Sequence, residues 1–275
     1  MVLKTKLFDH TYSFSSVKEV LAKANEEKSG DRLAGIAAET AEERVAAKVV
    51  LSELLLSDLR ENPVVPYEQD EVTRIIQDDL NEVIYQEIRN WTVAQLREWL
   101  LAETTTEAMI HRISRGLTSE MVAAVTKLMS NLDLIYAAAK IRITAHCNTT
   151  IGLPGTLSCR LQPNHTTDDP DGILASLLEG LTFGAGDAVL GLNPVTDSVE
   201  RLSQILQLFD DVKNRWQIPT QICVLGHVTT QMEALKTGAP MDLVFQSIAG
   251  SQKGNEAFGI TGQLLEEARQ LALHK

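Results

Sequence analysis

The 275-residue sequence has little cysteine, and its three cysteines, Cys147, Cys159 and Cys223, are odd in number and widely spaced. They form no Cys-x-x-Cys pair, which excludes a disulfide framework or a typical zinc site and predicts reduced thiols in a cytoplasmic protein. No apolar run approaches the roughly 20 residues of a membrane span. The first residues, MVLKTKLFDHTYSF, also lack the apolar core of a signal peptide.

Basic residues are scarce as well. Lysine and arginine total 25 against 37 aspartates and glutamates, a formal net charge of −12. This balance repels phosphate backbones and anionic lipid, and no Lys/Arg cluster offsets it locally, so neither nucleic acid nor a membrane is an expected partner. The sequence does have apolar mass, since 44% hydrophobic and 23% charged residues are typical of a globular protein with a sizeable core.

The first part of the chain, residues 1–140, is predicted to be an N-terminal helical region. Thr40 with Glu43, and Thr92 with Gln95, have the spacing of capping boxes ahead of apolar runs. The apolar residues that follow recur at helical period, which indicates packing stripes rather than a functional motif.

After residue 140 the pattern changes to short β-rich runs separated by helical stretches. The predicted strands are IRITAHC (141–147), TLSCRLQ (156–162), DAVLGLN (187–193), TQICVLGH (220–227) and LVFQSI (243–248). Alternation of strand and helix predicts a parallel sheet, and apolar residues on both faces of a strand are typical of a barrel or a doubly wound sheet. The chain length suits an α/β barrel, so we expect residues 141–275 to form part of one.

Polar residues stand where the predicted strands end. Successive ends carry Arg160 and Gln162, then Asn193 and Pro194, then His227, then Gln246 and Ser247. Within SCRLQPN, Arg160 and Gln162 lie two residues apart and share one face of a strand. Because parallel sheets bind ligands at the carboxyl ends of their strands, this pattern predicts a site, against the alternative of a solvated surface arginine.

The residue types restrict what this site could bind. The guanidinium of Arg160 only donates hydrogen bonds, so it selects hydroxyl, carboxylate or phosphate oxygen. The amides of Gln162 and Asn193 can accept from an amine or donate to a hydroxyl. Together the three favour a small polar ligand, uncharged or amphoteric. Capping of neighbouring loops is the alternative role for the two amides.

Other motifs have simpler interpretations. GAGD (184–187) precedes a strand, so it is predicted to be a turn rather than a dinucleotide fingerprint. The acids of HTTDDPDG (165–172) are predicted to cap a helix rather than bind a cation. His227 is predicted to be hydrogen-bonded within its loop, with a role as general base as the alternative. Cys159 and Cys223 are predicted to be buried small apolar residues.

Six longer stretches are far more specific than any of these motifs. They read VKEVLAKANEEKSGDRLAGIAAET, ERVAAKVVLSEL, NTTIGLPGTLSCRLQPN, GDAVLGLNPVTD, HVTTQMEALKTGAP and FQSIAGSQKG. Together they resemble the large subunit of ethanolamine ammonia-lyase, a carbon–nitrogen lyase of bacterial amine catabolism. The resemblance implies a parallel eight-stranded α/β (TIM-type) barrel preceded by helices. It also implies conversion of ethanolamine to acetaldehyde and ammonia by a radical mechanism that depends on adenosylcobalamin.

The same resemblance implies roles for the residues at the strand ends. Arg160 and Asn193 match positions that hold the substrate hydroxyl, and Gln162 matches one that holds its nitrogen. Positions near the cobalamin and its adenosyl group are matched by Pro194, Gln246 and Ser247. No catalytic residue and no metal ligand is assigned within residues 1–275. As partners the resemblance implies the lyase small subunit in a hetero-oligomer, in the cytoplasm or a bacterial microcompartment.

Two departures from the family pattern stand out. The family carries a glutamate before the phenylalanine equivalent to Phe258, where it helps to hold the adenosyl ribose, but this chain has Ala257 there and Glu256 one residue earlier. The sequence also accounts for only about five of the eight strands of a barrel. None of the matched positions supplies the carboxylate that a bound ethanolammonium requires.

We therefore expect a chain that lacks half of its site. Either a second chain completes the barrel, or the sequence is a truncated form without activity. Two alternatives differ in class. One is a non-catalytic assembly protein that binds other lyase subunits, and the other is an α/β-barrel lyase or isomerase of a different small amino alcohol.

Overall fold

The computed structural model describes residues 2–7 and 9–274. These fall into two compact units, one ending at Arg142 and the other beginning at Ile143. The first unit opens with an antiparallel hairpin of β1 (Lys4–Leu7) and β2 (His10–Ser13), which the sequence analysis did not predict. Its helices are α1 (Val17–Lys23), α2 (Ser29–Leu33), α3 (Ala41–Glu53), α4 (Leu56–Glu61), α5 (Glu71–Asp78), α6 (Glu82–Ile88), α7 (Val93–Leu101), α8 (Glu107–Ser114), α9 (Ser119–Lys127) and α10 (Asn131–Lys140), with a short 3-10 helix at Tyr67–Gln69.

Side-chain caps define where these helices begin. Thr92 and Gln95 form the predicted capping box, since each side chain accepts a hydrogen bond from the other residue's backbone N–H, at 3.1 and 2.8 Å. At α3 only half of the predicted box forms. Thr40 accepts from the Glu43 N–H, but the Glu43 carboxylate accepts from the backbone N–H of Glu39 instead. Each cap satisfies backbone donors that the first helical turn would otherwise leave unpaired.

A buried apolar cluster holds the first unit together. The largest side chains that are fully enclosed in it are Leu51, Leu56, Leu59, Ile88, Leu96 and Met121. They come from α3, α4, α6, α7 and α9, so the cluster is built from the helical stripes that the apolar period predicts. Across the described part of the chain, no helix is both long enough and apolar enough to cross a membrane.

The second unit is an α/β unit with a three-stranded parallel sheet in the order β5 (Arg160–Leu161), β6 (Val189–Leu192) and β7 (Ile222–Val224). It also contains the antiparallel pair β3 (Ala145–His146) and β4 (Thr150–Ile151), and the helices α11 (Pro170–Thr182), α12 (Val199–Arg215), α13 (Val228–Lys236), α14 (Gln252–Glu256) and α15 (Gly262–Leu273). The predicted α/β class and parallel pairing are confirmed. Residues 143–274, as described, form no closed barrel.

The prediction of a parallel strand at 141–147 is wrong. Within this range only Ala145 and His146 are extended and paired, and they pair antiparallel with the next two-residue strand. The turn between them attaches to the start of β7, where Asn148 Nδ2 donates to the Thr220 carbonyl at 3.1 Å and the Thr149 N–H donates to the Gln221 side chain at 3.2 Å. Because the backbone of Ala145 and His146 is paired within this local hairpin, the segment does not join the parallel sheet.

The predicted strand at 243–248 is also wrong, since no residue in this range is assigned to a strand. The backbone N–H groups of Asp242 and Leu243 both donate to the Ile222 carbonyl, at 3.2 and 3.3 Å. The N–H of Phe245 donates to the Gln231 side chain at 3.0 Å. Because a side chain takes up a backbone donor that a regular ladder requires, the segment follows β7 without forming a strand.

The two faces of the parallel sheet differ in character. Leu190 and Ile222 are completely buried in a cluster with apolar side chains of α11 and α12. Strand alternation places Arg160, Gly191 and Cys223 on the opposite face, and the register aligns Gly191 with Cys223. The predicted polar residue of SCRLQPN therefore lies on the face that the helices do not cover.

Candidate functional site

Arg160 is the central residue of the candidate site. It begins β5 level with Val189, and its Nε reaches along the sheet to the Gly191 carbonyl in a long hydrogen bond of 3.4 Å. The guanidinium carbon lies 5.7 Å from the ring centroid of Phe245. The remaining nitrogen, Nη2, is buried and has no hydrogen-bond partner in the described part of the chain. A buried donor without an acceptor is costly, so this nitrogen is the group that a ligand oxygen would satisfy.

Gly191 makes room for the guanidinium. A Cβ at this position would lie 2.7 Å from Cys223 Sγ, 3.0 Å from the Cys223 carbonyl oxygen and 3.4 Å from Arg160 Nη2. No other residue could occupy this place without moving its neighbours. Gly191 was not among the predicted site residues, although a glycine inside a strand is a signal of close approach.

The two predicted buried cysteines have different outcomes. Cys223 is 2% exposed, which confirms the prediction, and burial raises the pKa of its thiol while the charge of Arg160 opposes that shift. Cys159 is exposed, so that prediction is wrong. The reason is that β5 starts only at Arg160, so the alternation of a strand does not extend to Cys159. Its backbone N–H donates instead to the Asp187 carboxylate at 2.8 Å.

Gln162 and Asn193 lie just beyond the ends of β5 and β6, and both are exposed. No hydrogen bond joins the side chains of Arg160, Gln162 and Asn193 within residues 143–274 as described. The backbone N–H of Asn193 donates to Asn164 Oδ1 at 3.0 Å, which links the two loops. Asn164, which sequence reasoning missed, therefore does the loop capping that was the alternative role for the two predicted amides.

The acidic segment 165–172 organises the same loops. Asp169 Oδ2 accepts from the Gly172 N–H at 2.8 Å, which confirms the predicted helix cap. Asp168 has a different role. It is 1% exposed, and its two carboxylate oxygens accept from the N–H groups of Val195 and Thr196 at 2.9 and 2.8 Å. The loop after β5 thus holds the loop after β6 through a buried carboxylate.

His227 is hydrogen-bonded on both ring nitrogens. Nδ1 lies 2.7 Å from the Thr229 hydroxyl, which confirms the predicted local hydrogen bond, and Nε2 lies 2.9 Å from the Phe258 carbonyl. Because a carbonyl can only accept, Nε2 carries the hydrogen and Nδ1 accepts from the hydroxyl. The ring is thereby fixed between two segments, and neither nitrogen is left open as a base.

The three predicted cofactor contacts, Pro194, Gln246 and Ser247, differ in character. Gln246 joins its segment to the start of α13, since its Oε1 accepts from the Val228 N–H at 2.8 Å, and its Nε2 donates to the adjacent Ser247 carbonyl at 2.9 Å. This leaves the amide one carbonyl lone pair and one N–H for another partner. Ser247 is exposed and Pro194 is half-buried.

Gln231 is a second residue that sequence reasoning missed. It is completely buried, and its Nε2 donates to the carbonyls of Gly226 and Phe245 at 2.6 Å each. Its Oε1 accepts from the Phe245 N–H at 3.0 Å. Gln231 therefore fixes the backbone of the aromatic residue next to the Arg160 guanidinium. No sequence signal distinguishes it, because it lies in the middle of an ordinary helix.

These observations define an α/β protein with a polar candidate site on the face of a parallel sheet opposite to the one that α11 and α12 cover. The family model described as "Ethanolamine ammonia lyase large subunit (EutB)" matches residues 12–275. The chain is also 57% identical over 269 residues to the ethanolamine ammonia-lyase large subunits of Salmonella typhimurium and Escherichia coli, an alignment that covers 98% of this chain and 59% of each relative.

The chain therefore belongs to the ethanolamine ammonia-lyase large-subunit family, which confirms the resemblance seen in its sequence. It spans 59% of the length of these curated relatives.

Proposed function

We propose that the chain supplies the hydroxyl-binding side of an ethanolamine ammonia-lyase active site. The observation that carries this proposal is the buried Nη2 of Arg160, which has no acceptor in the described residues. A guanidinium donates and never accepts, so it suits the alcohol oxygen and repels the ammonium end. Asn193 lies on the neighbouring loop to hold the same oxygen, and the Gln162 carbonyl is able to accept from the substrate nitrogen.

The proposed architecture is part of a TIM-type barrel. Its support is the asymmetry of the sheet, where one face packs against α11 and α12 and the other carries Arg160, Gly191 and Cys223. In a barrel the second face becomes the interior, and ligands bind at the carboxyl ends of the strands. The Arg160 side chain extends from the start of β5 toward that end.

The three predicted cofactor contacts have the chemistry to hold adenosylcobalamin, a large macrocycle with apolar faces and polar amide arms. Gln246 keeps one donor and one acceptor free, Ser247 offers an exposed hydroxyl, and Pro194 offers an apolar surface. Ile248 and Phe258 are 65% and 70% exposed, which adds apolar contact area nearby. When bound, the cofactor would supply the radical chemistry, and these residues would orient it and exclude water.

The substrate ammonium needs a compensating carboxylate. Asp168 uses both oxygens on the backbone of the β6 loop, and Asp197 accepts from the His227 N–H at 3.0 Å. We therefore propose that the compensating carboxylate comes from outside the described strand-end residues. The relatives are named large subunits, and we propose a small subunit as partner of this chain in a hetero-oligomer.

A chimera tests this function. Residues 12–275 would replace the matched segment of the Escherichia coli large subunit, and acetaldehyde formation would be measured with the small subunit, adenosylcobalamin and ethanolamine. We expect turnover. Arg160→Met should lower kcat/KM about 10- to 100-fold, the loss of a hydrogen bond from a charged donor. The control Arg115→Met, at an exposed position, should leave it unchanged.

Other outcomes separate the alternatives. Full turnover in the Arg160→Met chimera would contradict the proposed site. Preference for a different amino alcohol would favour another lyase or isomerase. Small-subunit binding without any acetaldehyde would favour a non-catalytic assembly role.

A further inference from the structure

A cavity of about 620 Å³ lies in the first unit, where residues of α1, α2 and α9 line it. Part of its wall is apolar, formed by Leu21, Ala22, Val64 and Ala123. Two half-buried charged residues of α9, Glu120 and Lys127, also line it. The wall of the cavity therefore combines an aliphatic part with charged groups of both signs.

The other charged groups of this wall have partners or are exposed. Lys23 pairs with Glu43 at 3.0 Å, and the Glu19 carboxylate accepts from Ser15 at 2.7 and 2.6 Å. Lys18 is exposed to solvent. These groups need no ligand to satisfy their charge.

Glu120 and Lys127 differ from them. Glu120 accepts one hydrogen bond, from the Val64 N–H at 2.9 Å, and no cation lies within ion-pair distance of it in the described residues. Lys127 Nζ donates to Asn25 Oδ1 at 3.0 Å, and the Asn25 amide donates in turn to Asp31 at 2.9 Å. The ammonium thus meets a carboxylate only through an intervening amide. Its other N–H groups have no acceptor among residues 2–142 as described.

The pKa shifts agree with this lack of direct partners. Burial raises the pKa of Glu120, and the Val64 hydrogen bond opposes that shift. Burial lowers the pKa of Lys127, and the charge of Asp31 opposes that shift. In both cases burial disfavours the charged form, and the opposing interactions do not offset it.

The helix sets the distance between the two groups. Seven residues are about two helical turns, so Glu120 and Lys127 share one face with their Cα atoms about 10 Å apart. Both residues line the same cavity, so one occupant could meet the carboxylate at one end and the ammonium at the other. We propose that this cavity binds a small aliphatic ω-amino acid, with its ammonium at Glu120 and its carboxylate at Lys127. This site is independent of the function proposed above.

Calorimetric titration of the full chain tests the proposal with five probes: 3-aminopropanoate, 4-aminobutanoate, 6-aminohexanoate, butylamine and butanoate. We expect 4-aminobutanoate to bind, and the shorter and longer amino acids report the separation of the two wall charges. Each single-charge analogue should bind at least about tenfold more weakly, because it leaves one wall charge without a partner. This comparison needs no substitution and remains valid even if a variant misfolds.

Variants assign the two contacts. Glu120→Gln keeps an acceptor for the Val64 N–H but removes the negative charge, and Lys127→Met keeps the aliphatic chain but removes the positive one. Each should weaken 4-aminobutanoate binding at least about tenfold. The matched controls Glu103→Gln and Lys4→Met, at exposed positions, should change nothing. The proposal would be overturned if none of the five probes binds. It would also be overturned if butylamine or butanoate binds as tightly as the amino acids, which carry both charges.

Discussion

Alanine at position 191 should destabilise the second unit because it fills the space that Arg160 and Cys223 share. The new Cβ would lie 2.7 Å from Cys223 Sγ and 3.0 Å from the Cys223 carbonyl oxygen, both closer than ordinary van der Waals contact. The thiol is able to shift, but the Cys223 carbonyl cannot, because it belongs to a strand that is paired with β6. Overpacking of this kind costs about 1–3 kcal/mol. Because one of the two contacts is with rigid backbone, we expect the free energy of unfolding to fall by about 2 kcal/mol.

Urea unfolding of the Gly191→Ala chain, followed by circular dichroism, measures this cost. Gly250→Ala is the matched control, since a Cβ at Gly250 would meet nothing within 4 Å. The comparison cancels the general effect of replacing glycine on the unfolded chain. A double-mutant cycle with Cys223→Ala isolates the sulfur contact. Removing Sγ should recover less than about 1 kcal/mol of the loss as coupling energy, because the contact with the Cys223 carbonyl oxygen remains.

The same substitution has a second readout at the candidate site. The Cβ would lie 3.4 Å from Arg160 Nη2, where it would occupy space beside the nitrogen that is proposed to hold the hydroxyl oxygen, so it should weaken ethanolamine binding in the chimera. Equal stability of Gly191→Ala and Gly250→Ala, within about 0.5 kcal/mol, would refute the packing argument. A stability loss without any change in ethanolamine affinity would refute only the link to Arg160.

Two further substitutions test buried carboxyl groups. Asp168→Asn leaves one acceptor oxygen for the N–H groups of Val195 and Thr196, so one buried donor loses its partner and stability should fall by about 1–3 kcal/mol in urea unfolding. Glu120→Gln should change the pH dependence of stability in one direction. Because the folded-state pKa of Glu120 is raised, this group binds more protons in the folded chain than in the unfolded chain, so its contribution to stability falls as pH rises above 4.5. The glutamine variant lacks this contribution, so the difference in stability between the variant and the parent should increase over that pH range.

Matched controls accompany both substitutions. Asp171→Asn, at an exposed position of the same segment, should cost less than about 0.5 kcal/mol, and an equal loss at both aspartates would remove the special role of Asp168. Glu103→Gln should keep the pH slope of the parent chain. The interpretation of Glu120 fails if its variant shows that same slope.

Features with short sequence separation were predictable from residue patterns. The capping box of Thr92 and Gln95 and the cap at Asp169 involve residues three apart, so their spacing in the sequence is their spacing in space. The alternation of apolar runs likewise indicates the α/β class of the second unit, because the period of each run reports its own secondary structure. Arg160 was predicted by its position in such a run, and its specific role came from the family resemblance.

Features that join distant residues were not predictable in this way. Asp168 contacts the backbone 27 and 28 residues later, and Asn164 contacts the backbone 29 residues later, so no local pattern shows that they hold the strand-end loops. The two wrong strands, at 141–147 and 243–248, have strand-like composition, but competing partners take their backbone groups. Strand pairing and the space at Gly191 depend on which chain segments meet after folding, and the free energy of those contacts is decided by packing rather than by the intrinsic preference of a segment.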